Sequence, residues 1–287
     1  MDAKQAFPSI AQSLQTVEAE LAGQARAIVA DWGRDGASGR NLQGVIGHVF
    51  AAKGKLLRPA LVLLSAGLAR PGGGAPEHAL VQLATAAELL HCASLVHDDI
   101  IDGEPLRRGQ PTLNRRHGDH VAVLVGDLLY ARSFALLSTL ELPRWALQRE
   151  IVDLFCRTTQ AMCLGEIREQ QVLESGSRVG FAEYLAILSN KTAELMSASC
   201  RGGALACDAP APLVTALAEF GLSFGLAFQL LDDAADRDAL VEEGADLRAA
   251  AQASLARARG LLAGLGLGTS RAELEAACDL ILAVTAP

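Results

Sequence analysis

The sequence predicts an all-α fold, a bundle of about ten or more helices around a central apolar cavity. Three observations carry that expectation. Apolar residues recur at helical spacing through long stretches rich in Ala, Leu and Glu, while strand-like alternation is scarce. The breaks between these stretches are short clusters of Gly, Pro, Ser and Asp. Two stretches, 77–99 and 211–231, are apolar around most of their circumference, which places them in the middle of a bundle.

Taken in order, the periodicity predicts helices over 9–32 and 41–52, parted by "RDGASG". Helices over 56–69 and 77–99 flank "RPGGGAP". The stretch "DGEPLRRGQP" ends the second of these, and helices resume over 119–140 and 145–173 on either side of "ELP". "ESGSRVG" and "CDAPAP" bound a helix over 181–202. The last three run over 211–235, 238–263 and 271–284, with "LGLGTS" before the final one. No fixed-period repeat and no long linker divides the 287 residues. The expectation is one domain over 1–287, with a motif-bearing core at about 54–236 and C-terminal helices over 238–285.

Composition narrows the function classes. Hydrophobic residues make up 51%, enough to bury a large core. A net charge of −8 supplies no basic field for nucleic acid, and 4% aromatic content supplies no platform for stacked bases. "MDAKQAFPSI" lacks the basic start and apolar run of a signal peptide. Near the second acidic cluster, the longest run free of charge, Phe220 to Leu231, falls short of the roughly 20 apolar residues that span a bilayer. A soluble, cytoplasmic chain without a transmembrane segment is expected. None of the six cysteines forms a C-x-x-C pair, so they read as reduced core thiols.

Two acidic clusters stand out against this apolar background. In "ELLHCASLVHDDIID", Asp98 and Asp102 are four apart and share a helical face, while Asp99 points about 100° away. The second cluster, Asp232, Asp233 and Asp236, repeats the geometry after "FGLSFGLAFQLL". Carboxylates ending buried helices repel one another and cost several kcal/mol unless a cation joins them. Mg²⁺, which takes one or two carboxylates and completes its shell from water and phosphate, fits such a cluster.

Lysine is rare: Lys4, Lys53, Lys55 and Lys191 are four of 25 basic residues, the rest being arginine. Lys55 and Arg58 lie three apart in "GKLLRP", and Arg107 and Arg108 follow the first acidic cluster in "EPLRRGQPT". Arginine forks grip phosphate oxygens in pairs, and lysine acts as a compact point charge. Metal and cations together suit a diphosphate.

These stretches resemble the trans-isoprenyl (polyprenyl) diphosphate synthases. "GKLLRPALVLLSA", "ELLHCASLVHDDIIDGEPLRRGQPTLN", "AVLVGDLLYARSFALL", "GEIRE", "NKTAELMSASC" and "FGLAFQLLDDAAD" occur in the family's order from about Gly54 to Asp236. The resemblance implies an isoprenoid-synthase fold, a homodimer, and Mg²⁺-dependent chain elongation, with two or three ions bound alongside diphosphate. It implies that Asp98 and Asp102, with Asp99, hold metal for an allylic diphosphate, and that Asp232, Asp233 and Asp236 form a second metal face. Arg107, Lys191, Thr192 and Gln229 are implied contacts of the allylic diphosphate. Lys55, Arg58, His91 and Arg108 are the implied pocket for isopentenyl diphosphate. Asp98, Asp102, Lys191 and Arg107 are the implied catalytic set. The implied partners are those two diphosphates and a second copy of the chain, with peripheral membrane contact for product release and no nucleic acid.

In this family, bulky residues just before the first acidic cluster stop chain growth early. Here Ala93 and Ser94 stand five and four residues before Asp98, and both are small. They are the expected chain-length floor, and a product of C20 or longer is the expectation. Two departures accompany the resemblance. The Gly/Lys-rich loop that the family carries after its second Asp motif is missing, as if by internal deletion, since no lysine follows Lys191. Glu169 stands where the family commonly has Gln. Two other functions share the motifs: a class I terpene synthase or cyclase on the same fold, and a weakly active or non-catalytic subunit of a heteromeric synthase.

Overall fold

The computed structural model describes residues 3–32, 36–51, 54–69, 75–236, 240–266 and 268–284. The chain opens with α1 (Ala3–Ala6), a single 3₁₀ turn at Pro8–Ile10, α2 (Ala11–Trp32) and α3 (Gly36–Ala51). Then come α4 (Leu57–Leu68) and α5 (Glu77–Ile101). A two-residue hairpin, β1 (Leu106–Arg107) and β2 (Gln110–Pro111), leads to α6 (Leu113–His117), α7 (Asp119–Ser138) and α8 (Trp145–Ser175). A π-helical turn, Ser189–Ala193, joins α9 (Phe181–Leu188) to α10 (Glu194–Ala206). The chain closes with α11 (Ala211–Asp236), α12 (Leu247–Ala263) and α13 (Thr269–Val284). The all-α expectation is met.

The central helix is α5, whose Leu80, Leu83, Leu89, Leu90 and Ala93 are all buried. It packs against α2, α4, α7 and α10, while α10 also meets α4, α8 and α11. Each buried leucine contributes about 1.5–3 kcal/mol relative to leaving it in water. By length and apolarity α5, α7 and α11 are each able to cross a membrane, which the charge-free run Phe220–Leu231 did not suggest. In the bundle 72% of the apolar window of α5 is buried, but only 33% of that of α7. All six cysteines are free; Cys200, Cys207 and Cys278 are buried, whereas Cys163 is exposed on α8.

Close helix contact depends on glycine. A Cβ on Gly203 of α10 would lie 2.2 Å from the carbonyl oxygen of Val62 on α4. Gly203→Ala is therefore expected to destabilise by about 2–4 kcal/mol and lower the melting temperature by about 5–10 °C. Propensity alone would make the change stabilising by about 1 kcal/mol. Thermal unfolding followed by circular dichroism decides the sign, and a raised melting temperature would show that the α4–α10 contact yields.

Several boundaries differ from the sequence expectation. The helix expected from 238 starts at Leu247. Gly244 adopts φ 97°, which helix forbids, and Asp246 caps α12 by accepting from the Ala249 amide at 2.9 Å. Val241 instead forms a parallel bridge to Val179. The helix expected over 181–202 is interrupted by the π turn and runs on to Ala206. Short-range hydrogen bonding, which hydrophobic periodicity does not report, also creates the hairpin and α6.

Candidate active site

The last turn of α5 presents Asp98 and Asp102 together. The backbone amide of Asp102 donates to the Asp98 carbonyl at 2.8 Å and closes the helix. Burial pushes the Asp98 carboxyl up to about 7, and the neighbouring Glu166 and Asp102 push it in the same direction, against Lys191 and Arg107. Asp102 is raised by burial as well, again opposed by Lys191.

Asp99 turns elsewhere. Its carboxylate accepts from Arg107 Nε at 2.6 Å, and its side chain is buried. The hairpin brings Arg107 back to α5. Glu104 donates its amide to the Asp99 carbonyl at 3.1 Å, and Thr112 Oγ1 donates to the Glu104 carbonyl at 2.8 Å. Between the strands, Arg108 and Gly109 take φ 52° and 77°. Positive φ at both central positions is the signature of a type I′ turn, and at Arg108 it is strained for a side-chain-bearing residue.

Beside this hairpin lies a cavity of about 290 Å³, lined by Glu88, His91, Cys92, Arg107, Arg108 and Thr112 among others. His91 is held well below the usual histidine range, by burial first and then by Arg58, Arg108 and Arg107, so its imidazole is neutral. Glu88 is buried within the fields of Arg58 and Arg108, and burial raises its carboxyl against them. Arg58 Nε is buried without a hydrogen-bond partner among the described residues, a donor that a ligand oxygen would satisfy. Burial pushes the Cys92 thiol up to about 12, which leaves it inert. Lys55 does not line this cavity. It lines a smaller one near the chain's ends, with Phe7, Phe228 and Asp232.

The opposite wall comes from α8, the π turn and α11. Lys191 Nζ pairs with Glu166 Oε2 at 2.9 Å and with Glu169. Thr192 Oγ1 donates to Gln229 Oε1 at 2.9 Å, and Gln229 Nε2 donates to Asp233 Oδ1 at 2.8 Å. Tyr184 also donates its hydroxyl to Asp233. Asp232 is exposed, and Asp236 ends α11 with its side chain outside the described residues. Ala93 is fully buried, whereas Ser94 is half-buried and donates back to the His91 carbonyl at 3.0 Å.

Among the described residues no three His, Cys, Asp or Glu side chains converge closely enough to hold an ion unaided. The donor set still fits Mg²⁺. Asp98 and Asp102 are hard oxygen donors on one face, burial first and then neighbouring carboxylates disfavour their charged forms, which a divalent cation would favour, and Mg²⁺ draws its remaining ligands from water and phosphate.

Residues 40–244 match the model of the polyprenyl synthetase family. The chain belongs to this family. It is 36% identical over 236 residues to the heptaprenyl diphosphate synthase component 2 of Geobacillus stearothermophilus, covering 82% of this chain and 67% of that one. It is 38% identical over 188 residues to the geranylgeranyl diphosphate synthase of Sulfolobus acidocaldarius, covering 65% of this chain and 55% of that one. The fold superimposes on geranylgeranyl pyrophosphate synthetase from Pyrococcus horikoshii with a TM-score of 0.83, at 24% identity and 98% coverage of both chains. A polyprenyl synthase from Caulobacter crescentus, solved with calcium and isoprenyl diphosphate, gives a TM-score of 0.73 at 27% identity, covering 95% of this chain and 97% of that one.

Within this polyprenyl synthetase fold, three participants had no part in the sequence reading. Glu88 lies three residues before His91, on the same face, and was a lone charge in an apolar helix. Glu166 is the second residue of "GEIRE" and contacts Lys191. Tyr184 is one of only two tyrosines, and nothing in its spacing links it to Asp233.

Proposed function

We propose that this protein is a Mg²⁺-dependent prenyltransferase that condenses isopentenyl diphosphate with an allylic diphosphate to give a trans-polyprenyl diphosphate of C20 or longer. The observation that carries this reading is the arrangement along α5. Asp98 and Asp102 end the helix opposite Lys191, and two turns earlier His91 faces a cavity shared with Arg108. One buried helix thus serves two phosphate-binding environments side by side, as a reaction between two diphosphates requires.

In this scheme Lys191 and Arg107, with Thr192 and Gln229, receive the allylic diphosphate. Arg58, His91 and Arg108 receive isopentenyl diphosphate, His91 as a neutral hydrogen-bonding group, while Lys55, which lines the separate cavity beside Phe7, is left out of this set. Mg²⁺, when held by Asp98 and Asp102 with Asp99, Asp232, Asp233 and Asp236 as the further carboxylates of the two clusters, supplies charge neutralisation for the leaving diphosphate. The allylic C–O bond breaks and diphosphate departs with the electron pair. The isopentenyl double bond attacks the allylic carbon, and the proton lost next passes to the released diphosphate. The apolar walls keep water from the cation.

Five exposed apolar side chains on two helices in contact, Val123, Leu124 and Leu128 of α7 and Leu164 and Ile167 of α8, support a homodimer as the working assembly. Incubating the purified chain with Mg²⁺, labelled isopentenyl diphosphate and farnesyl diphosphate tests the proposal. Elongated prenyl diphosphate is the expected product. A hydrocarbon or alcohol formed from the allylic substrate alone would identify a terpene synthase. No turnover, with rescue by a second polypeptide, would identify a subunit of a heteromeric synthase.

A further inference from the structure

We infer that Glu169 is a positioning residue that holds Lys191 in reserve, so that a diphosphate must compete with a protein carboxylate for that cation. The inference rests on the reading of Lys191 as a diphosphate contact.

The geometry begins with the backbone. Ser189–Ala193 forms a π-helical turn, an inserted-residue defect that re-aims the side chains around it. Facing it on α8 is Gly165, where a Cβ would lie 2.7 Å from the Lys191 amide nitrogen and 2.8 Å from Asn190 Cβ. Only glycine lets the two segments touch. That contact places Lys191 over the next turn of α8, where Glu166 and Glu169, three residues apart, share a face. Both carboxylates reach Lys191 Nζ, and all three side chains are about four-fifths buried or more.

Charge then decides the consequence. The field of Lys191 is shared among four carboxylates: Glu166 and Glu169 by contact, and Asp98 and Asp102 at longer range. Arg107, the next cation, is held by Asp99. The pocket is therefore anionic before any ligand arrives, although its proposed ligand is an anion. Glu166 alone gives Lys191 a full ion pair. Glu169 adds a second negative charge with no cation of its own, so it opposes diphosphate entry and favours diphosphate release. A neutral Gln at 169 keeps the shape and the hydrogen-bonding reach but removes that opposition.

The test measures binding of inorganic pyrophosphate by isothermal titration calorimetry, with Mg²⁺ at fixed concentration. The proteins are the full chain, Asp98→Asn, Glu169→Gln, Lys191→Ala and the double variant of the last two. Glu169→Gln is expected to bind about tenfold more tightly, the effect of removing one like charge a few ångströms away in a partly dry site. The double variant is expected to bind no more tightly than Lys191→Ala, because the gain passes through Lys191. Equal affinity of Glu169→Gln and wild type would overturn the inference, as would a gain that persists without Lys191. Loss of pyrophosphate affinity in Asp98→Asn, with no gain in Glu169→Gln, would sink the clamp while leaving the diphosphate reading intact. Failure of the wild type to bind pyrophosphate would overturn both.

Discussion

Asp98→Asn is expected to cut turnover by about a thousandfold while raising the melting temperature at alkaline pH. The first effect follows from placement. Asp98 shares a face with Asp102, opposite Lys191, and an amide offers the diphosphate site no anionic ligand for a divalent ion. The second follows from linkage. The folded-state carboxyl of Asp98 sits at about 7, above its ordinary value of 3.8, because burial, Glu166 and Asp102 disfavour its charged form. A raised carboxyl contributes stability that is complete below pH 4 or so and is lost as pH rises through about 7. At about pH 8 the wild type carries that repulsion and the Asn variant does not. A relief of about 1 kcal/mol corresponds to about 2–4 °C in a domain of this size class. The gain should therefore be larger at about pH 8 than at about pH 5, where the wild-type carboxyl is already mostly protonated. Steady-state condensation assays and paired thermal melts check the two halves separately. Near-normal turnover would remove Asp98 from the metal site, and a lower melting temperature at both pH values would show that its carboxylate is structurally paired.

The helical architecture was legible because its signal is long. Helices of 25 and 26 residues, α5 and α11, that are apolar around most of their circumference leave few folds open, and the acidic clusters ending both are visible as interruptions of that pattern. What periodicity left out is local. A single inserted residue makes the π turn at Ser189–Ala193, and it changes no hydrophobic spacing strongly enough to be read. The hairpin at Leu106–Pro111 rests on positive φ at Arg108 and Gly109, and arginine is an unusual choice for that position. The start of α12 depends on Asp246 and Gly244, a cap and a turn within an Ala-rich stretch that otherwise suits helix. In the candidate site, the proximity of Asp98 to Asp102 followed from helical pitch alone. The pairing of Lys191 with Glu166 and Glu169 did not, since it joins residues about 25 positions apart through a glycine contact. Glu88 was hidden for a related reason: its partners Arg58 and Arg108 come from two other segments.

Ala93→Phe is expected to shorten the product to about one isoprene unit beyond the primer. A growing chain anchored by its diphosphate near Asp98 and Asp102 must extend its tail away from the carboxylates, toward the apolar interior around α5. Ala93 lies about one and a half turns back from Asp98 and is wholly buried, so a tail that passed it would meet a wall set by its single methyl. A benzyl group there fills space that a longer tail would need, and in a close-packed interior neighbouring side chains yield little. Overpacking also costs about 1–3 kcal/mol, which thermal melts will register. A graded series separates the two effects. Ala93→Leu should give intermediate lengths, and Ser94→Phe, at a half-buried position with more room to adjust, should shorten the product at a smaller cost in stability. Product lengths are read by chromatography of the dephosphorylated alcohols at matched fractions of folded protein. If all three variants keep the wild-type distribution, the tail does not pass Ala93 or Ser94, and the limit on growth lies in another wall of the bundle. If length falls in step with side-chain volume at 93 while the rate of the first condensation holds, the steric boundary of the product is a single position on α5.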